Sequence, residues 1–310
     1  MANAVILLEE AGVILLQLEG IEKAYHRNSV VNGATFTVHT EEAVALIGAN
    51  GSGKSTLLRI AAGLVTPTAG EVKWRGGQGK PRIGYVPERF PKLRLTPVEY
   101  LQAMGRMQGM PAEPLRARIA ELLRMFRMEE AQNRRIDRFS KGMAQKVNLM
   151  QAVLNPPELL ILDEPLSGLD ADSQRDLADW LKGWRMQGMA LLFTCHEPLL
   201  LEAVADRILL LQQGRIAREL GVEEWLEPRM RIDFALPDGS EDALEALQRF
   251  GAVQVHGGAL RIHVPREESD AALREILASR GSIASVTSCD NDRNMLAEAM
   301  RGSREGGDPR

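Results

Sequence analysis

The stretch Gly48-Ala49-Asn50-Gly51-Ser52-Gly53-Lys54-Ser55-Thr56 decides how the rest of this chain is read. It fits the pattern G-x-x-x-x-G-K-[ST], with an apolar run, Ala43 to Ile47, before it and a helical pattern, Lys54 to Leu64, after it. In that setting the glycines let successive backbone N–H groups turn toward the β- and γ-phosphates of a nucleotide at a helix N-terminus. Lys54 adds a point charge, and the Ser55 hydroxyl can ligate Mg²⁺. Gly48, Asn50, Gly51, Ser52, Gly53, Lys54, Ser55 and Thr56 are therefore candidate nucleotide contacts.

Outward from this loop, short apolar segments alternate with amphipathic helical patterns. Strand candidates are Ile14 to Leu18, Val44 to Gly48, Leu159 to Asp163, Leu191 to Cys195 and Ile208 to Leu211, with a helix from Asp172 to Met186. The alternation predicts an α/β domain with a largely parallel sheet. Between residues 97 and 155 the apolar spacing becomes helical, as in Leu115, Ile119, Leu122, Leu123 and Phe126, which predicts an inserted helical subdomain. Beyond Leu220 the texture changes again. Alternating Ile232, Phe234 and Leu236, a helix near Leu244 and Leu247, Val253 and Val255, a turn from His256 to Ala259, alternating Leu260, Ile262 and Val264, a helix near Leu273 and a strand around Ile283 to Val286 follow in order. That order predicts a small ferredoxin-like α+β sandwich. The expected organisation is an extension over 1–12, the nucleotide domain over 13–220, the accessory domain over 221–300 and a polar tail over 301–310.

The segment Leu159-Leu160-Ile161-Leu162-Asp163-Glu164-Pro165 is an apolar strand ending in two carboxylates. Asp163 is positioned to hold the shell of a Mg²⁺ ion, and Glu164 to polarise an attacking water. Paired with the phosphate loop at the carboxyl edge of one sheet, where such folds bind ligands, this acidic strand end becomes a specific signal.

These residues and several others give a family resemblance. The chain resembles the nucleotide-binding subunits of ABC transporters. Phe139-Ser140-Lys141-Gly142-Met143 resembles their signature segment, and Ser167-Gly168-Leu169-Asp170 their D-loop. His196 is similar to their switch histidine, and Tyr25 in Lys23-Ala24-Tyr25 to the aromatic that stacks on adenine. The resemblance implies a P-loop NTPase core of ABC type and an ATPase that uses ATP and Mg²⁺. It further implies that two such domains face each other head to tail, as a homodimer or heterodimer, around two ATP molecules. Each ATP then lies between one phosphate loop and the other subunit's Ser140, Lys141, Gly142 and Asp170. Glu164 and His196 are the implied catalytic residues. A separate transmembrane permease subunit is the implied partner, which puts the chain at the cytoplasmic face of a membrane.

The sequence departs from the commonest family pattern at the signature, where Lys141 stands for glycine and Met143 for glutamine, and at Tyr85-Val86-Pro87-Glu88, where Glu88 stands for the usual glutamine. These variants resemble the bacterial ABC-2 type exporter branch. A carboxylate at position 88 can still bind Mg²⁺, which makes Ser55, Glu88 and Asp163 the candidate metal ligands.

Composition narrows the alternatives. With 45% hydrophobic and 26% charged residues and a net charge of −4, the chain has the make-up of a globular protein without a strongly basic nucleic-acid surface, Arg134, Arg135 and Arg138 notwithstanding. Its two cysteines, Cys195 and Cys289, form no disulfide framework. Residues 1–20 carry Glu9 and Glu10 and no Lys or Arg, unlike a signal peptide, and no run reaches the ~18 apolar residues of a membrane span. A soluble ATPase acting on ribosomes or DNA is the competing reading, but Lys54 and Ser140 are separated by no heptad run. A domain that binds ATP without turnover is the other, and Lys54, Asp163, Glu164 and His196 together speak against it. His256 and His263 read as strand-surface residues, and Asp238-Gly239 and Gly257-Gly258 as turns.

Overall fold

The structure is a computed structural model that describes residues 12–26, 28–195, 197–237, 239–256 and 259–289. Internal contacts divide the chain into a first unit ending at Val222 and a second beginning at Glu223.

The first unit opens with β1 (Ile14–Tyr25) and β2 (Asn28–His39), then β3 (Ala43–Ile47), α1 (Lys54–Ala61), β4 (Ala69–Trp74) and β5 (Ile83–Val86). Next come α2 (Pro97–Met107), α3 (Ala112–Met125) and α4 (Lys141–Ala152), with two 3-10 turns, Glu129–Ala131 and Ile136–Arg138, between α3 and α4. The unit closes with β6 (Leu159–Leu162), α5 (Ala171–Met186), β7 (Ala190–Thr194), α6 (Pro198–Val204), β8 (Arg207–Gln212) and β9 (Arg215–Gly221).

The main sheet has the order β5-β6-β7-β3-β8-β9, parallel throughout except for β9, which runs antiparallel at the edge. Every residue of β3, β6 and β7 is buried, because helices or a second sheet cover both faces of a parallel sheet. Their side chains can then be apolar, which is why β3 and β6 read as unbroken Ala/Val/Leu/Ile runs and β7 is apolar up to Thr194. β1 differs. The sequence placed Ile14 to Leu18 in the rhythm of the parallel sheet, yet β1 lies in a separate antiparallel sheet of order β2-β1-β4. The cause is its alternation: Leu16, Leu18 and Ile21 are buried whereas Gln17 and Glu19 are only half-buried and Glu22 is exposed, the mark of a strand with one dry face. Its buried residues join Leu57 and Leu58 of α1 and Leu46, Leu192 and Leu209 of the main sheet in one core cluster. Each such leucine contributes roughly 1.5–3 kcal/mol by burial.

The helical stretch starts at a capping box. The Glu99 N–H donates to Thr96 Oγ1 at 3.2 Å, and the Thr96 N–H donates to Glu99 Oε2 at 2.8 Å. Phe126, buried at the end of α3, packs against Trp180 of α5 with ring centres 4.4 Å apart and ring planes inclined by 55°.

After α7 (Val222–Leu226), the second unit consists of β10 (Arg229–Ala235), α8 (Glu241–Gln248), β11 (Val253–His256), β12 (Ala259–Pro265), α9 (Ser269–Ala278) and β13 (Ser282–Cys289). Its antiparallel sheet has the order β11-β12-β10-β13, the ferredoxin-like topology. Ile232, Phe234, Ile262 and Val264 face Leu247, Ala272 and Ile276 of the helices. On the other face Asp233 accepts from Arg261 at 2.6 Å and from Ser285 at 2.8 Å. The residues Asp238 and 257–258, read as turns, lie outside the described residues.

Candidate functional site

β3 delivers the chain from the middle of the main sheet into the loop from Gly48 to Gly53, and α1 begins at Lys54. Two glycines make this turn possible. Gly53 has φ +105°, and a Cβ there would lie 2.7 Å from the Val30 carbonyl oxygen. At Gly48 a Cβ would lie 2.3 Å from the Leu211 carbonyl oxygen, so the loop passes against β8 with no room for a side chain. No acidic residue and no side-chain cap occupy the first turn of α1, which leaves its N–H groups and the positive end of its dipole available to an anion. Lys54 is only 6% exposed; its Nζ donates to the carbonyls of Gly48 at 2.7 Å and Ala49 at 3.1 Å. Burial pulls its pKa below the usual lysine value, against the opposing pull of Glu164, Asp163 and other neighbours.

The carboxylates stand across from this loop. The Asp163 N–H still donates to Val86 at 2.8 Å, but at Glu164 the backbone takes φ +48° and leaves the sheet. The Glu164 N–H donates to Thr194 Oγ1 at 2.8 Å, and the same hydroxyl donates to Asp163 Oδ1 at 3.1 Å. Asp163 is 1% exposed, and burial raises its pKa; the neighbouring hydroxyls of Ser55 and Thr194 oppose this, while Glu164 and Glu88 add to it. Glu88 follows β5 with its carboxylate near Arg89, Nε to Oε1 3.6 Å.

Between them lies an open cleft of ≈ 400 Å³, lined by Val30, Asn50, Gly51, Gly53, Lys54, Ser55, Thr56, Glu88 and Glu164. The groups present fit a nucleoside triphosphate with Mg²⁺. Ser52 Oγ and Asp163 Oδ2 are buried and have no hydrogen-bond partner. The first sits in the loop that would cradle the phosphates, and the second sits behind Ser55, whose hydroxyl, with the Glu88 carboxylate, offers hard oxygen donors. Among the described residues no group of three His, Cys, Asp or Glu could hold a metal ion.

Other sequence-selected residues lie elsewhere. Tyr25, 42% exposed at the end of β1, sits under the ammonium of Lys23, 5.2 Å from the ring centre, and does not line the cleft. Ser140 caps α4 by accepting from the Met143 N–H at 3.2 Å, and Asp170 caps α5 by accepting from the Ser173 N–H at 2.8 Å. That bond holds the Asp170 carboxyl below its usual pKa. Neither lines the cleft of its own chain. Lys141 Nζ donates to Ser167 Oγ at 2.6 Å, joining the signature segment to the D-loop. The backbones of these two segments nearly touch: a Cβ on Gly142 would lie 2.8 Å from the Gly168 carbonyl oxygen. His196 lies outside the described residues.

The sequence reading missed Thr194, Val30 and three amides of α4. Gln145 donates to the Pro165 carbonyl at 3.2 Å, Asn148 to that of Pro87 at 2.8 Å and Gln151 to that of Tyr85 at 2.7 Å. Positions i, i+3 and i+6 share one helix face, so α4 ties the chain beside Glu164 to the chain beside Glu88. The available signal was a polar residue at each third step of an otherwise half-apolar helix.

Comparison with known proteins agrees with this geometry. A family model described as ABC transporter matches residues 31–167. The linearmycin resistance ATP-binding protein LnrL of Bacillus subtilis (strain 168) is 30% identical over 279 residues, covering 85% of this chain and 89% of that one. The Nod factor export ATP-binding protein I of Burkholderia orbicola (strain AU 1054) is 31% identical over 227 residues, covering 70% of this chain and 74% of that one. Among solved structures, a dimeric, post-hydrolysis ATP-binding cassette bound to ADP and Pi superposes with a TM-score of 0.63, at 25% identity, covering 67% of this chain and 99% of that one.

Proposed function

Since the chain belongs to the ATP-binding subunits of ABC transporters and is an ATPase, we propose that it closes with a second cassette around two ATP molecules and drives export through a separate transmembrane subunit. The observation that carries this reading is the convergence of Lys54, Ser55, Glu88 and Glu164 on one cleft, with Asp163 buried behind Ser55. In it, Gly48, Asn50, Gly51, Ser52, Gly53, Lys54 and Thr56 bind the phosphates, and Tyr25 meets the base. Ser55, Glu88 and Asp163 would hold Mg²⁺, which when bound would supply charge neutralisation at the phosphate oxygens.

Glu164 acts as general base. Water oxygen bonds to the γ-phosphorus as the bond from that phosphorus to the β–γ bridging oxygen breaks, and the proton of the water passes to the Glu164 carboxylate. His196 orients the γ-phosphate.

Ser140, Lys141, Gly142 and Asp170 serve the partner cassette's nucleotide. Supporting this, Ser140 and Asp170 cap helices and do not line their own cleft, and the superposed cassette described above is a dimer. Export is supported by the relatives named for linearmycin resistance and Nod factor export. No helix among the described residues is long and apolar enough to cross a membrane. In this reading the crossing belongs to the partner, the chain sits at the cytoplasmic face, residues 13–220 form the motor and residues 221–300 an accessory domain.

Affinity purification of the tagged chain from detergent-solubilised membranes tests the reading. A polytopic membrane protein is expected in stoichiometric amount; recovery with ribosomes or DNA in its place overturns it.

A further inference from the structure

Thr194 ends β7, directly beside β6 in the parallel sheet, with Leu162 paired to Phe193 just before it. It is fully buried. A hydroxyl has one hydrogen and two lone pairs, and here both kinds of capacity are used on neighbouring residues. The hydrogen goes to Asp163 Oδ1 at 3.1 Å, and a lone pair takes the Glu164 N–H at 2.8 Å.

The second bond falls where the backbone needs it. Glu164 is a non-glycine residue at φ +48°, a left-handed conformation that persists only when its surroundings over-determine it. The turn carries the Glu164 N–H away from the strand ladder, and Thr194 supplies the acceptor. The first bond chooses one carboxylate oxygen of Asp163, leaving Oδ2 without a protein partner.

We propose that Thr194 is a positioning residue for hydrolysis: one buried hydroxyl fixes both the carboxylate orientation of Asp163 and the backbone from which the Glu164 side chain enters the cleft. This rests on the reading of Glu164 as general base. Thr194 touches no residue of the phosphate loop through either bond, so its effect is expected to fall on turnover more than on nucleotide affinity. A shift of about 1 Å in a reacting group can cost ~100-fold in rate.

The test compares Thr194→Val, Thr194→Ser and Glu164→Gln in full-length chain, measuring steady-state ATP hydrolysis, binding of a fluorescent ATP analogue and thermal melting. Thr194→Val keeps the shape and loses the hydroxyl; kcat is expected to fall roughly 10- to 100-fold, with KM and analogue affinity within about threefold of the parent. Thr194→Ser keeps the hydroxyl and is expected to retain kcat within about threefold. Parental kcat in Thr194→Val, or a Ser variant as impaired as the Val variant, overturns the proposal. So does a joint collapse of affinity and kcat with a lowered melting temperature, which assigns Thr194 to packing alone. Should Thr194→Val not fold, Thr194→Ala carries the same comparison, and failure of both to fold also overturns it. Glu164→Gln separates the two ideas: if it still turns over, the general-base reading fails, whereas a dead Glu164→Gln beside a normal Thr194→Val sinks the positioning role only.

Discussion

The side-chain amide of Asn148 donates to the carbonyl of Pro87, 2.8 Å away, binding the signature helix to the residue that precedes Glu88. Asn148 is fully buried, so an apolar replacement leaves that carbonyl without its donor. Asn148→Leu is expected to cost about 1–3 kcal/mol. For a unit of this size that lowers the melting temperature by roughly 2–4 °C per kcal/mol. Because the freed backbone carries Glu88, kcat for ATP is expected to fall further than stability alone explains, which a hydrolysis assay well below the melting temperature reads directly.

Glu164→Gln keeps the volume and polarity of the side chain and removes its basicity. Hydrolysis is expected to drop by about 10²- to 10⁴-fold while ATP binding persists. With ATP and Mg²⁺ the variant is expected to elute as a dimer in size-exclusion chromatography and as a monomer without nucleotide. Unchanged turnover removes Glu164 from the base role.

Asp163 is buried with one unpartnered oxygen, and its folded-state pKa is raised above the unfolded value. The ionised folded carboxylate is therefore a cost, fully present above the raised folded value and lost as pH falls through it toward the unfolded value. Asp163→Asn is expected to raise stability by about 0.5–2 kcal/mol at neutral pH while abolishing Mg²⁺-dependent hydrolysis. Melting curves at several pH values check the sign: the gain shrinks as the solution is acidified.

Gly53→Ala introduces a Cβ 2.7 Å from the Val30 carbonyl oxygen at a residue with φ +105°. The strain is expected to cost on the order of 1–3 kcal/mol and to displace the start of α1. Nucleotide affinity, measured by titration calorimetry, is expected to fall at least tenfold. Gly51→Ala, at φ +80° with open space around its Cβ position, carries the backbone strain without the collision and is expected to fall between Gly53→Ala and the parent.

Much of this was legible in the sequence because it is local. The phosphate loop announces itself through glycines, and β3, β6 and most of β7 through apolar runs that fit a doubly covered parallel sheet. The α/β cassette and the ferredoxin-like order of the second unit are the folds observed. What was not legible depends on register. β5 is a strand of four residues closely flanked by Pro81 and Pro87, too short for its alternation to register in the sequence. Thr194 is one polar residue in an apolar run, and its importance arises only once β6 and β7 are paired. Gln145 and Asn148 look like ordinary polar helix positions until the helix is turned toward Pro165 and Pro87.

The contact between Gly142 and Gly168 has a mechanical consequence. With 2.8 Å between a Cβ at 142 and the Gly168 oxygen, and 2.6 Å between a Cβ at 168 and the Lys141 side chain, the signature turn and the D-loop have no clearance to slide past one another. The Lys141 ammonium, donating to Ser167 Oγ at 2.6 Å, pins the same two segments together. On the proposed reading, in which both segments meet the partner cassette's nucleotide, this packing makes the two turns of each subunit move together.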